Sequence, residues 1–118
     1  MNISTLEKRT GLSRDTIRFY EKEGIITAPK RSDNGYRIYT ELHVKQLSFV
    51  SSGKAIGFSL SEIQAGYRTL IELGKLCPNL ESALFAKKDF FLNRIESDRK
   101  KVAIIEEMLK RKSDNREE

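Results

Sequence analysis

The chain has 118 residues, 38% of them hydrophobic and 33% charged, which is enough apolar material for a small core under a strongly solvated surface. Its 22 basic and 17 acidic residues give a net charge of +5, which favours a polyanionic partner. A single cysteine excludes an internal disulfide, and no apolar run is long enough for a membrane span or a signal peptide, so we expect a cytoplasmic protein.

The first part of the chain predicts two short helices joined by a tight turn. Ser4 to Glu7 has the spacing of a capping box at the start of the first helix, and Gly11 is suited to end that helix. Ser13 can cap a second helix that runs to about Glu23. Helix, turn and helix in this order are typical of a DNA-binding motif. The expected inward residues are Leu6, Leu12, Ile17, Ile25 and Ile26.

The next segment predicts a hairpin. Ala28-Pro29 does not continue a helix, and Asp33-Asn34-Gly35 supplies turn residues that tolerate positive φ. Tyr36-Arg37-Ile38-Tyr39 alternates in the manner of a strand. We expect residues 25–39 to form a small wing with a long connection, which completes a winged helix-turn-helix.

Two more helices follow the predicted wing. Thr40 caps the third, which stops near Gly57, and Ser59 to Glu62 is a second capping box that opens the fourth. Gly74 is suited to end the fourth helix. Their expected inward residues, at helical spacing, are Val44, Leu47, Val50, Ile63, Tyr67, Leu70 and Ile71.

The last third of the chain predicts one long helix. No glycine or proline interrupts the sequence after Pro78, so we expect a helix from about Asn79 to Lys112, roughly 50 Å long. When Lys88 and Asp98 are counted as polar members, its apolar residues have the alternating four- and three-residue spacing of a coiled-coil seam: Leu84, Phe91, Ile95, Val102, Ile105 and Leu109. One chain cannot bury this stripe alone, so we expect pairing with a second copy. The predicted domains are a DNA-binding domain over 1–76, a dimerisation helix over 77–112 and a disordered tail over 113–118.

Three segments, in this order, resemble signatures of the MerR family of bacterial transcription regulators. Residues 16–25 (TIRFYEKEGI) resemble the recognition helix, residues 31–39 (RSDNGYRIY) the wing, and residues 56–63 (IGFSLSEI) the join between the third and fourth helices. The resemblance implies a mainly α fold, in which a winged helix-turn-helix domain precedes a long dimerisation helix. It also implies a homodimer held by an antiparallel coiled coil.

The resemblance further implies a mechanism. The homodimer would bind a palindromic operator in double-stranded DNA, within a promoter whose −35 and −10 elements are spaced too far apart. Effector binding would change the setting of the two heads, and the bent and untwisted spacer would let RNA polymerase engage both elements. We expect no cofactor and no enzyme activity, because the sequence lacks catalytic carboxylate pairs, phosphate-binding glycine loops and metal clusters.

Side chains on the second helix, the wing and the third helix are the expected DNA contacts. Arg18 is favoured by the resemblance and Arg14 by its place in the first turn, since arginine can pair bidentately with guanine. Asp15 could accept from a cytosine amino group or lie on a solvated turn, and Tyr20 could bind phosphate or simply pack in the core. The wing residues and Lys54 would hold phosphates, or form a solvated charged surface. The full set is Arg14, Thr16, Arg18, Tyr20, Lys30, Arg31, Tyr36, Arg37 and Lys54.

Cys77 is a candidate effector-sensing residue. It lies at the expected N-cap of the long helix, where the helix dipole favours a thiolate. In several metal-sensing members of the family, a cysteine here binds metal together with cysteines from a loop after the partner's dimerisation helix. One thiolate per protomer does not make a selective soft-metal site, so we expect no metal. A thiol-reactive signal, a small organic effector between the fourth and fifth helices, no effector, and an inert packing role for Cys77 all remain open.

Two other readings compete with an effector-controlled regulator. An excisionase-like architectural factor would share the winged helix and bind DNA independently of any effector, but such a head has no need of a long apolar seam. A helical protein-interaction module would show no salt-dependent affinity for DNA.

Overall fold

Over residues 1–117, the computed structural model contains five helices and one two-stranded sheet. Glu118 and the side chains of residues 71–73 and 113–117 lie outside the described residues. The chain divides into two compact units, Met1–Cys77, which we call the head, and Pro78–Glu118. The elements are α1 (Ile3–Thr10), α2 (Arg14–Lys22), β1 (Lys30–Arg31), β2 (Arg37–Ile38), α3 (Glu41–Ala55), α4 (Leu60–Leu73) and α5 (Pro78–Glu117).

The start of α1 differs from the sequence prediction. The prediction of a capping box that starts at Ser4 was wrong, because the helix begins at Ile3 and Asn2 is its N-cap. The side chain of Asn2 accepts a hydrogen bond from the backbone N–H of Thr5 at 2.9 Å. Asparagine and serine are comparably good caps, so local chemistry permitted either start. Ser4 is therefore a helical residue, and its hydroxyl and the carboxylate of Glu7 are used elsewhere in the head.

The other ends of the first two helices are as predicted. Gly11 ends α1 with a φ of 72°, a left-handed conformation that glycine adopts without strain. Ser13 caps α2, its hydroxyl accepting from the backbone N–H of Thr16 at 3.2 Å. Together they confirm the tight turn of the helix-turn-helix.

Apolar residues from α1, α2, the wing and α3 form the core of the head. Leu6, Ile17, Tyr39 and Leu47 are fully buried, Ile26 is nearly so, and Leu12 packs against the cluster. This confirms the inward residues expected for the first two helices, with Ile25 also buried. Burial of each large aliphatic side chain stabilises the fold by about 1.5–3 kcal/mol.

The predicted wing is present as a short antiparallel hairpin. Lys30 lies opposite Ile38, and Arg31 opposite Arg37. In the predicted turn Asp33-Asn34-Gly35, only Gly35 adopts a positive φ, 83°. No non-glycine residue that the structure describes has a positive φ, so Asp33 and Asn34 do not. The backbone N–H of Ser32 donates to the carbonyl of Tyr36 at 2.8 Å, which closes the loop.

Helices α3 and α4 pack closely on one another. The second capping box is confirmed: the backbone N–H of Glu62 donates to Ser59 Oγ at 3.2 Å, and that of Ser59 donates to Glu62 Oε1 at 3.0 Å. The side chain of Ile63 is buried directly against Gly53 of α3. The predicted inward side chain of Ile71 lies outside the described residues.

The long terminal helix α5 begins at Pro78, the residue that the sequence marked as a first helical position. Its 40 residues correspond to about 60 Å at 1.5 Å per residue. The helix continues beyond Lys112 into residues 113–117, where the sequence predicted a disordered tail. The side chains of those residues lie outside the described part of the chain. Among the described residues, no helix has the length and apolarity needed to cross a membrane.

The close approach of α3 and α4 can be tested by adding a side chain at Gly53. A Cβ there would lie 2.7 Å from Cγ1 of Ile63, so we expect Gly53→Val to lower the free energy of unfolding by about 2 kcal/mol through overpacking. Ser52→Val is the matched control, because Ser52 is exposed on the same helix and its replacement should cost no more than about 0.5 kcal/mol. Denaturant unfolding measures both changes, and equal losses would contradict the packing.

Candidate nucleic-acid interface

Arg14, the first residue of α2, ties the two helices of the helix-turn-helix together. Its backbone N–H donates to Glu7 Oε2 at 3.0 Å, and its Nη2 donates to Glu7 Oε1 at 3.1 Å. Nη2 also donates to the hydroxyl of Ser4 at 3.0 Å. Both α1 residues that the sequence assigned to a capping box therefore bind Arg14 instead. The guanidinium therefore uses Nε and Nη2 for hydrogen bonds to α1, which leaves Nη1 for another partner.

The other predicted contacts on α2 have different environments. Thr16 is half-buried, and its hydroxyl lies 2.8 Å from Ser13 Oγ within the cap of the helix. Arg18 is exposed, and within the described residues its side chain makes no hydrogen bond or ion pair. Tyr20 is half-buried against the core, with its ring 5.9 Å from that of Phe19. Arg18 is thus the predicted arginine contact on α2 whose donors are uncommitted.

A half-buried carboxylate joins α2 to the wing. Glu21 Oε2 accepts from Arg37 Nε at 3.1 Å, and Glu21 Oε1 accepts from the hydroxyl of Tyr39 at 3.1 Å. The side chain of Glu21 is only 17% exposed, so both bonds lie partly out of water and are charge-assisted. We call Glu21, Arg37 and Tyr39 the clasp. It fixes the orientation of the wing relative to α2.

Burial is the main cause of a raised pKa at Tyr39, and the neighbouring Glu21 carboxylate raises this pKa further. A negative phenolate would have to be buried beside a negative carboxylate, so the neutral phenol is favoured. The folded head therefore holds Tyr39 as a hydrogen-bond donor.

The wing presents its remaining side chains to solvent. Arg31 Nη1 donates to the carbonyl of Gly35 at 2.8 Å, which braces the turn of the hairpin. Tyr36 is 74% exposed and Lys30 is also exposed, so the ring of Tyr36 and the ammonium of Lys30 can meet a ligand. Lys54 is exposed in the last turn of α3.

The connection between α2 and the wing is fixed by α3. Gln46 Oε1 accepts from the backbone N–H of Thr27 at 2.9 Å, and Gln46 Nε2 donates to the Thr27 hydroxyl at 2.8 Å. His43 is 4% exposed; Nδ1 accepts from the backbone N–H of Thr40, so Nε2 carries the proton and donates to the Thr27 carbonyl at 3.0 Å. The histidine is a structural residue, because both of its ring nitrogens are used in hydrogen bonds within the head.

An exposed ion pair joins α1 to α3 beside this network. Both terminal nitrogens of the Arg9 guanidinium donate to the carboxylate of Glu41, Nη1 to Oε1 and Nη2 to Oε2, the latter at 3.0 Å. The hydrogen bond from Arg9 is the main cause that lowers the pKa of Glu41. Arg9 is consequently occupied within the head.

Cys77 is half-buried and directly precedes Pro78, the first residue of α5. Its position immediately before the long helix is the one that the sequence indicated. No group of three or more histidine, cysteine, aspartate or glutamate residues able to hold a metal occurs in the part of the chain that the structure describes. The sensing role of Cys77 stays a prediction.

Sequence reasoning missed the carboxylates that organise this surface. Glu7 was assigned to a cap and Glu21 to no role, although each binds an arginine that the sequence assigned to DNA. Their partners lie 7 and 16 residues away, so no local pattern identifies the pairs. Phe19 was also missed; at 48% exposed on the recognition helix, it is a further candidate for contact with DNA.

Comparison with known proteins identifies the family. Residues 1–66, more than half of the chain, match the family described as MerR HTH family regulatory protein. The chain belongs to the MerR family. The curated relatives that it matches are named as HTH-type transcriptional regulators.

Two curated relatives each match about half of this chain. The chain is 48% identical over 62 residues to the HTH-type transcriptional regulator CueR of Salmonella typhi, covering 52% of this chain and 45% of that regulator. It is 51% identical over 65 residues to YfmP of Bacillus subtilis, covering 54% of this chain and 46% of YfmP. The chain thus matches about half the length of these curated relatives.

Solved structures extend the likeness beyond the head. The chain is similar to the regulator PbrR691 from Ralstonia metallidurans CH34 in complex with lead(II), with a TM-score of 0.62, 28% identity, and coverage of 92% of this chain and 81% of that one. MtaN, the N-terminus of a Bacillus subtilis multidrug transporter activator, has a TM-score of 0.61 at 21% identity, covering 92% of this chain and 97% of MtaN. The predicted fold class, mainly α with a winged helix-turn-helix and a long C-terminal helix, is confirmed.

The clasp should make the head less stable at alkaline pH. The folded-state pKa of Tyr39 is raised above its unfolded value near 10, so this contribution is fully present below about pH 10 and is lost as pH rises through the folded-state pKa. Tyr39→Phe should cost about 1 kcal/mol at neutral pH and make the loss above about pH 10 smaller.

Denaturant unfolding between about pH 8 and 11 measures this dependence. Tyr36→Phe is the control, because this exposed tyrosine should leave the alkaline profile unchanged. A Tyr39→Phe profile parallel to that of the unsubstituted protein would contradict the assigned role.

Proposed function

We propose that this MerR-family regulator acts as a homodimer that binds a palindromic operator in double-stranded DNA. The operator lies in a promoter with an overlong spacer between its −35 and −10 elements. On effector sensing, the dimer distorts the spacer so that RNA polymerase in the cytoplasm engages both elements. The observation that carries this proposal is that α2 presents the exposed side chain of Arg18 beside a wing that the half-buried carboxylate of Glu21 holds at a fixed orientation.

The head presents an arginine suited to base edges and lysines suited to backbone phosphates. Arg18 has uncommitted donors on α2, which suits it to hydrogen-bond a guanine edge in the major groove. Lys30 on the wing and Lys54 at the end of α3 are exposed, which suits them to phosphates on either side of the groove. Tyr36 can add a phosphate contact through its exposed hydroxyl.

The committed arginines keep a second function in this proposal. Arg37 uses Nε for Glu21, which leaves both terminal nitrogens for a phosphate. Arg14 uses Nε and Nη2 for α1 and keeps Nη1, and Arg31 uses Nη1 for Gly35 and keeps Nη2. Their intramolecular bonds hold each guanidinium in place before DNA arrives, which lowers the entropic cost of binding. Thr16 and Tyr20 are proposed as minor contacts on α2.

The apolar stripe of α5 supports the homodimer. Its seam residues Phe91, Ile95, Val102, Ile105 and Leu109 are between 37% and 62% exposed. An exposed apolar stripe of this kind, with Asp98 as its polar member, needs a partner on a helix of about 60 Å. A second copy of α5 supplies the same stripe, and antiparallel pairing places the two heads at opposite ends of the paired helices.

The two arginines proposed for base and phosphate contact give separable phenotypes. Arg18→Ala should weaken operator binding by about 1–3 kcal/mol per half-site and relax base preference, because a guanine contact is lost. Arg37→Ala should weaken binding to all sequences and flatten the dependence of log K on log salt by about 0.9 per lost phosphate contact. Lys100→Ala on α5 controls for the loss of one positive charge.

Titration of labelled operator and of a scrambled duplex, over a range of salt concentrations, measures these effects. Unchanged base preference in Arg18→Ala would contradict the recognition-helix assignment. An unchanged salt slope in Arg37→Ala would contradict the wing contact.

The dimer proposal predicts that a charge in the seam separates the protomers. Ile105→Glu removes an apolar side chain from both copies of the interface, so dimerisation should weaken by at least about 3 kcal/mol, or more than about 100-fold. Asn93→Glu adds the same charge on the opposite side of α5 and should leave the dimer intact. Sedimentation of the two variants at equal concentrations distinguishes them, and an Ile105→Glu dimer as strong as the control would exclude the seam.

A further inference from the structure

The first turn of α2 carries three polar side chains, Arg14, Asp15 and Thr16. Two of them, Arg14 and Thr16, form hydrogen bonds within the head. Arg14 binds Glu7 and Ser4 of α1 through Nε and Nη2. Thr16 shares its hydroxyl with Ser13, the cap of the same helix. The residues that the sequence favoured for reading bases in this turn are therefore occupied by intramolecular hydrogen bonds.

Asp15, between them, is in a different situation. Its side chain is exposed, and among the residues that the structure describes it has no hydrogen-bond or ion-pair partner. It lies three residues before Arg18, so the two side chains project from one face of α2 on successive turns. The face that presents the uncommitted arginine therefore also presents an uncommitted carboxylate.

A carboxylate on a DNA-facing surface is selective because most of its surroundings repel it. Phosphates are negative, and in the major groove guanine presents two acceptors and thymine one. Adenine offers an amino donor, but its N7 acceptor lies beside that donor. Cytosine presents an amino donor alone, which makes it the base edge most compatible with an ionised aspartate.

We propose that Asp15 determines sequence specificity by accepting a hydrogen bond from the exocyclic amino group of a cytosine in each half-site. The inference rests on the proposed operator binding through α2 and adds to it a base that the regulator selects. Arg14 is then a positioning residue that holds the first turn of α2 against α1. Asp15 and Arg18 together read neighbouring base pairs, one as an acceptor and the other as a donor.

The test begins with selection of preferred half-sites from a randomised duplex pool by the full-length chain. Each cytosine in the selected site is then replaced singly by the 2-pyrimidinone nucleoside, which lacks the amino group. At one position in a half-site, we expect this replacement to weaken binding by the unsubstituted protein about 5- to 150-fold. Binding by Asp15→Ala should be indifferent to the same replacement, because its partner is already absent.

Glu23→Ala is the matched control, because it removes an exposed carboxylate from the other end of α2. It should keep the full penalty for the missing amino group, because the proposal gives Glu23 no base contact. Asp15→Ala should also bind scrambled duplex more tightly than the unsubstituted protein, since a negative charge beside phosphates has been removed. Circular dichroism confirms that each variant is folded before its binding is compared.

The outcomes separate this inference from the proposed function. If the unsubstituted protein selects no sequence, operator recognition itself fails. If it selects a site but no cytosine amino group matters, or if Asp15→Ala retains the penalty, then the role of Asp15 is overturned while operator recognition stands. The substitution of DNA alone gives this result even if a protein variant does not fold.

Discussion

Burial of one polar aromatic residue, Tyr39, is the constraint that organises the head. Its ring is fully buried and meets the imidazole of His43 edge-on, with centroids 5.3 Å apart. Its backbone exchanges hydrogen bonds with Met1, which precedes α1, and its hydroxyl donates to Glu21 near the end of α2. One residue thus connects the wing to the three helices around it. Without these connections, the short strands of the wing would have little to hold them against α2, because two-residue strands are marginal alone.

Much of this fold follows from local sequence. Gly11 and Ser13 fix the turn because glycine tolerates left-handed backbone and serine satisfies an orphan amide. The capping box of Ser59 and Glu62 and the uninterrupted run after Pro78 are equally local, and both were predictable. The failure at Ser4 has a local cause too: Asn2 competes for the same role two residues earlier, and propensity does not decide between good caps.

The site was less predictable, because its organisation depends on pairs that are remote in sequence. Basic residues on the recognition helix and wing could be named from pattern and resemblance. Which of them are bound within the head could not, because the carboxylates of Glu7 and Glu21 come from other elements. The close packing at Gly53 is similarly invisible in sequence, where a mid-helix glycine signals only a weaker helix.

Under the proposed operator binding, the intramolecular ion pairs of the head would affect how the regulator searches for its operator. Three arginines of the head, Arg9, Arg14 and Arg37, are each partly neutralised by a carboxylate of the same chain. Non-specific attachment to DNA comes almost entirely from displaced counterions, so each neutralised cation shortens the time spent on irrelevant sequence. A bacterial chromosome offers millions of competing sites, and a head that attracts them less leaves more of the regulator unbound to find the correct promoter.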